Sequence, residues 1–173
     1  AGRAALERLG PTPAARAAMA PTTREKAWLA AVEILYSGHG SKPERDAQYD
    51  QAMERLAMAW PRDNNAQLFH ALALMGRSEG VRDVPAYLRA GAIAERIFRL
   101  NPHDPGAAHY WIHAMDDPAH AAGALEPARA LSKIAPDAAH AQHMTSHIFM
   151  ALGLWDDVAK ANEVAMRVEI GRA

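Results

Sequence analysis

Residues 108–116 read AHYWIHAMD, and residues 141–150 read AQHMTSHIFM. Each stretch holds two histidines four apart, and the pair His143 and His147 repeats the pair His109 and His113 at an interval of 34 residues. Pro102 and Pro136 are also 34 apart, each in a short turn after an apolar run. Pro61 plays the same part 41 residues before Pro102, the excess fitting the longer GRSEGVRD turn. A chain that repeats both its punctuation and its side chains at one interval is read as stacked units of one supersecondary type.

The unit is helical. Between the turn segments SGHGSKPERD, WPRDNN, GRSEGVRD, LNPHDPG, IAPDAAH and LGLWDD lie runs with apolar residues spaced by three and four, the period of an α-helix. In TTREKAWLAAVEIL, Thr22 and Glu25 form a capping-box pattern, after which Trp28, Leu29, Val32 and Leu35 share one face. Asp104-Pro105 and Asp117-Pro118 each read as an N-cap followed by proline at the first helical position, and Asp137 reads as a third cap. The spacing predicts helices over 23–37, 45–60, 64–76, 84–100, 105–116, 119–135, 138–152 and 155–169, in antiparallel pairs, with short helical pieces at 3–8 and 12–19.

Composition agrees and narrows the function classes. Half of the 173 residues are apolar while 6% are aromatic, which favours helices closely packed through small side chains over a β-sandwich. The net charge of −1 suggests no nucleic-acid or anionic-membrane partner. With no cysteine there is no disulfide frame, thiolate metal site or thiol nucleophile. No apolar run approaches membrane-spanning length. The chain opens AGRAALERLG without methionine, as a piece of something longer would. The compartment stays open: a soluble protein, cytoplasmic or exported.

A helix-turn-helix unit repeating every 34 residues resembles the tetratricopeptide repeat family, with its pattern W-x2-L-G-x2-Y…A-x3-F…P. The resemblance covers roughly residues 22–169 and is strongest at GLWDDVAKANEVA, Gly153 to Ala165, which is similar to the family's turn between its two helices. With Pro102 and Pro136 at the family's proline, Ala108, Trp111, Ile112 and Met115 take the W, L, G and Y places, and Ala124 and Ala128 the later ones. The next unit has Gln142, Thr145, Ser146 and Phe149, then Val158 and Asn162. These are degenerate repeats, matched better in period than in core residues. The resemblance implies an all-α, right-handed solenoid, a single domain over residues 1–173 with about four antiparallel helix pairs. It also implies a protein or peptide partner held in a concave groove lined by the first helix of each pair.

The family's groove positions fall on Gly106, His109, His113 and Asp116 in one unit and on His140, His143, His147 and Met150 in the next. Spacings of three and four agree, placing each set on one helix face. Three readings of the histidines compete. They are solvated or mutually hydrogen-bonded groove residues, or they form a metal site, or they recognise an anion. For a metal, His109, His113, His143, His147 and Asp116 supply nitrogen and oxygen ligands suited to zinc, copper, nickel or iron. Neutral imidazole attracts anions weakly, which counts against a constitutive carboxylate clamp.

Catalytic motifs are thin, and an enzyme is the less favoured reading. Neither pair reads H-E-x-x-H, so no glutamate base is built in, and Ser146 beside His147 points away from it on a helix. His70 reads as a half-buried, satisfied histidine and His39 as an exposed turn residue. Trp28, Trp60, Trp111 and Trp155 read as inter-helix packing, with Trp155 anchoring the last turn.

Overall fold

The computed structural model describes residues 2–78 and 80–171, with Ser37 described by its backbone alone. Glu79 of the GRSEGVRD turn and the terminal Ala1, Arg172 and Ala173 lie outside the described residues. The described chain is helical, with no strand: α1 (Gly2–Leu9), α2 (Pro13–Met19), α3 (Thr23–Ser37), α4 (Lys42–Ala59), α5 (Asn64–Gly76), α6 (Val84–Leu100), α7 (Pro105–Ala114), a 3-10 turn at Ala121–Ala124, α8 (Leu125–Ile134), α9 (Ala139–Ala151) and α10 (Trp155–Ile170). None of these helices is long and apolar enough to cross a membrane. Residues 1–82 and 83–173 form two compact units.

The three proline turns are one device used three times. Trp60, Asn101 and Ala135 each close a helix, and each carbonyl accepts a hydrogen bond from the N–H three residues on, at 2.9, 3.1 and 3.2 Å, from Asp63, Asp104 and Ala138. In the first two turns the aspartate caps the next helix, Asp63 accepting from Ala66 N and Asp104 from Ala107 N, which satisfies N–H groups that a helix start leaves open. In the third the cap position holds Ala138, with no side-chain cap bond. The expected cap at Asp137 is therefore off by one residue: the repeat's cap place is third after the pre-proline residue, and Asp137 stands second.

Two glutamines reinforce these turns. Gln67 Nε2 donates to Ala57 O at 2.8 Å, and Gln142 Nε2 lies 2.9 Å from Ser132 O and 3.2 Å from Ala135 O and Pro136 O. Both stand six residues after a turn proline, and both satisfy carbonyls that the end of the preceding helix leaves without an intrahelical donor.

In residues 1–82, α3, α4 and α5 enclose Ala31, Met53, Leu56, Ala66 and Ala73, with Trp28 and Trp60 packed against them. The Trp28 and Phe69 rings meet edge to face at 5.2 Å, joining α3 to α5. His70 is half-buried, 3.7 Å from the buried Asp50, and His39 is exposed, the degrees of burial that the sequence reading expects.

In residues 83–173, α6 packs on α7 at Gly91, where an added Cβ would lie 2.5 Å from Met115 Cε. Trp111 and Ile112 are buried, as are Ala108, Ala124 and Ala128 at their repeat places. Gln142, Thr145, Ser146 and Phe149 are buried too. Between α9 and α10 the chain turns at Gly153, whose φ of +71° suits glycine. There Leu154 N donates to Phe149 O at 2.8 Å and Gly153 N to Met150 O at 3.1 Å, the paired bonds of a Schellman stop.

Two local expectations are corrected. Asp117-Pro118 does not start an α-helix, because the Asp117 carboxylate closes a tight turn. Its Oδ1 accepts from Ala119 N and His120 N at 3.0 and 3.1 Å and meets His120 Nδ1 at 2.8 Å. The α-helix begins only at Leu125. Trp155 is not the buried anchor expected: it is the first residue of α10 and 66% exposed.

Candidate functional site

The first helices of the last two repeats, α7 and α9, lie side by side and are buried on most of their surface. On α9 the residues that stay exposed or half-buried are Ala139, His140, Ala141, His143, His147, Met150 and Ala151. On α7 they are Pro105, Gly106, His109, Tyr110 and His113, with Asp116 just beyond. The predicted groove positions therefore fall on the least covered face of each helix.

Where the two helices meet, the contacts run 31 residues apart. The His109 and His140 ring centroids are 5.0 Å apart, and Asp116 Oδ2 lies 2.8 Å from His147 Nδ1. Sequence-equivalent histidines, 34 apart, are therefore offset by about one turn across the helix pair. This offset divides the predicted five-ligand set in two. His109 and His113 associate with His140, and Asp116 associates with His147 and His143.

The first group is compact. His109 and His113 have ring centroids 4.7 Å apart, and one ring nitrogen from each of His109, His113 and His140 lies within 4.8 Å of the others. Burial, reinforced by the neighbouring His113 and His140, pushes the His109 pKa down to about 4. His109 is thus neutral at pH 7, the form that offers a lone pair to a metal. Its Nε2 is buried and has no hydrogen-bond partner among the described residues. An unpartnered buried ring nitrogen is costly to leave unmade, and the three imidazoles together suit a transition-metal ion.

The second group is a chain of contacts. Asp116 meets His147 Nδ1, His147 Nε2 lies 3.2 Å from His143 Nε2, and His143 Nδ1 lies 2.7 Å from Asn162 Oδ1 on α10. Because Asp116 takes the ring nitrogen of His147 that faces away from His143, the carboxylate does not share a ligand point with the two Nε2 atoms. In this arrangement Asp116 is the hydrogen-bond partner of His147. Asn162 stands in the sequence only at a repeat position, and no local motif marks it. Its contact with His143 depends on the angle at which α10 returns across α9.

The helix order, the recurrent turns and the packed first helices make this an all-α, tetratricopeptide-like fold. A solved structure titled MamA MSR-1 C2, a tetratricopeptide-repeat protein, is similar to the chain with a TM-score of 0.64. The likeness covers 99% of this chain and 94% of that chain at 12% sequence identity, a likeness of fold. No family model and no curated protein matches the sequence.

Proposed function

We propose that this chain is an interaction module that binds a peptide or protein segment along the open faces of α7 and α9. The observation behind the reading is the row His140, His143, His147 and Met150: it runs the length of a helix whose other sides are largely buried, and Met150 is 53% exposed. Tetratricopeptide-like folds offer such faces to extended partners, although the fold alone does not choose the ligand. Imidazole rings and a methionine supply hydrogen bonds and adaptable apolar contact without fixed charge.

A photo-crosslinking side chain at Met150 is expected to give a discrete adduct in cells. The same group at Lys133, exposed on α8, is expected to give none, and replacing His143 and His140 should deplete the Met150 adduct. Equal labelling from both positions, insensitive to the histidines, would remove the proposal.

A second reading has its own observation. The three-histidine group of His109, His113 and His140 favours retention of zinc, copper, nickel or iron. Elemental analysis of tag-free protein, before and after dialysis against zinc, checks it: one metal lost on replacing His113 and His140 supports the reading. Metal-free protein after loading sinks it.

A further inference from the structure

His143 and His147 do not belong to that three-histidine group, and their hydrogen bonds impose a separate demand. The carboxylate of Asp116 accepts at His147 Nδ1, 2.8 Å away. The amide of Asn162 has its orientation set from the other side, because Asn162 Nδ2 donates to Val158 O at 2.9 Å. Turning the amide over would oppose two oxygens. Its Oδ1 therefore faces His143 Nδ1, at 2.7 Å, and an amide oxygen can only accept.

Each Nδ1 must then carry its ring's proton. A neutral imidazole protonated at Nδ1 has its lone pair on Nε2. The two Nε2 atoms lie 3.2 Å apart, so two lone pairs face one another across a gap that only a cation can relieve. That cation is a proton shared between the rings or a metal ion. Metal–imidazole bonds of zinc are about 2.0–2.1 Å, and two such ligands at a tetrahedral angle place their nitrogens about 3.3 Å apart. The observed gap matches. The outer partners match as well, since a ligating histidine usually donates its other ring N–H to a carboxylate or carbonyl oxygen.

We propose that His143 and His147 bind a divalent transition metal of the zinc class through their Nε2 atoms, with Asp116 and Asn162 as positioning residues that fix both tautomers. Two protein ligands leave further coordination positions open to solvent. His143 is exposed, and the His147 and Asp116 side chains are about 30% exposed. A partner segment lying along this face could therefore complete the coordination with its own donor.

The test uses the full chain carrying His113→Ala and His140→Ala, which removes the neighbouring group, titrated with zinc by calorimetry. One equivalent is expected to bind, and His147→Ala or His143→Ala should abolish it with the helical circular-dichroism signal kept. Asp116→Ala should weaken binding about 10–100-fold. Asp116→Asn, which retains an acceptor oxygen, should recover part of that loss, a rescue that a merely structural aspartate would not give.

No zinc binding in the His113→Ala, His140→Ala protein overturns the proposal while leaving the three-histidine reading standing. So does binding that survives His147→Ala. Nitrogen NMR showing one cationic imidazole at this pair that zinc does not displace also overturns it, in favour of the shared proton.

Discussion

Replacing Trp111 with alanine is expected to cost the fold about 3 kcal/mol, the low end of the 3–5 kcal/mol typical of a buried aromatic. The ring is 2% exposed, meets Phe98 edge to face at 5.6 Å, and has the Arg99 guanidinium 5.2 Å from its centroid. These contacts join α6 to α7. One term offsets it: the indole Nε1 is buried without a hydrogen-bond partner among the described residues, and removing an unsatisfied donor returns about 1–3 kcal/mol. His39→Ala, at an exposed turn, should change stability by no more than about 0.5 kcal/mol. Urea midpoints at constant slope measure both. Equal, negligible effects would show that the repeat register places the wrong residue in the core.

Acidification from pH 7 to pH 4 is expected to weaken the fold, with His109 supplying about 1–2 kcal/mol of the loss after allowance for screening of a partly exposed ring. In the unfolded chain a histidine titrates near 6.5, whereas in the native state burial holds His109 near 4. Above pH 6.5 the ring is neutral in both states and titration takes nothing from stability. Between 6.5 and 4 the unfolded chain binds a proton that the native state refuses, so stability falls as the pH falls. Burial is the larger cause, and the facing His113 and His140 add to it by repulsion when charged. His109→Gln removes this contribution, and its urea midpoint should fall less between pH 7.5 and 4.5 than the parent's. Identical losses in the two proteins would relieve His109 of any part in the acid response.

Much of this was readable in the sequence because it depends on local chemistry. Helices 23–37, 64–76 and 84–100 fall where the apolar spacing puts them, the first behind its Thr22–Glu25 capping box. Helix α4 starts at Lys42, earlier than expected, because Ser41 and Glu44 form a full capping box in a segment whose glycines read as turn. The exposed histidine row was legible for a similar reason: which face a residue occupies follows from the helical period alone. Which histidine meets which was not legible. That depends on how far α9 is displaced along α7, a tertiary quantity of about one turn, and the interval of 34 repeats sequence positions without fixing it. The Asn162 contact lay further out of reach, since it needs the position of a third helix.

The amides of Gln67 and Gln142 also give the chain a direction in time. Each satisfies a carbonyl ten residues behind it, so the end of α4 or α8 is completed by a side chain from the helix that follows. A ribosome delivers those carbonyls first and the amide that answers them later. During synthesis the last turn of α8 therefore stays solvated, and free to fray, until α9 has begun to emerge. The boundary between the two helices is settled from downstream, by a residue that is still inside the exit tunnel when the end of α8 leaves it.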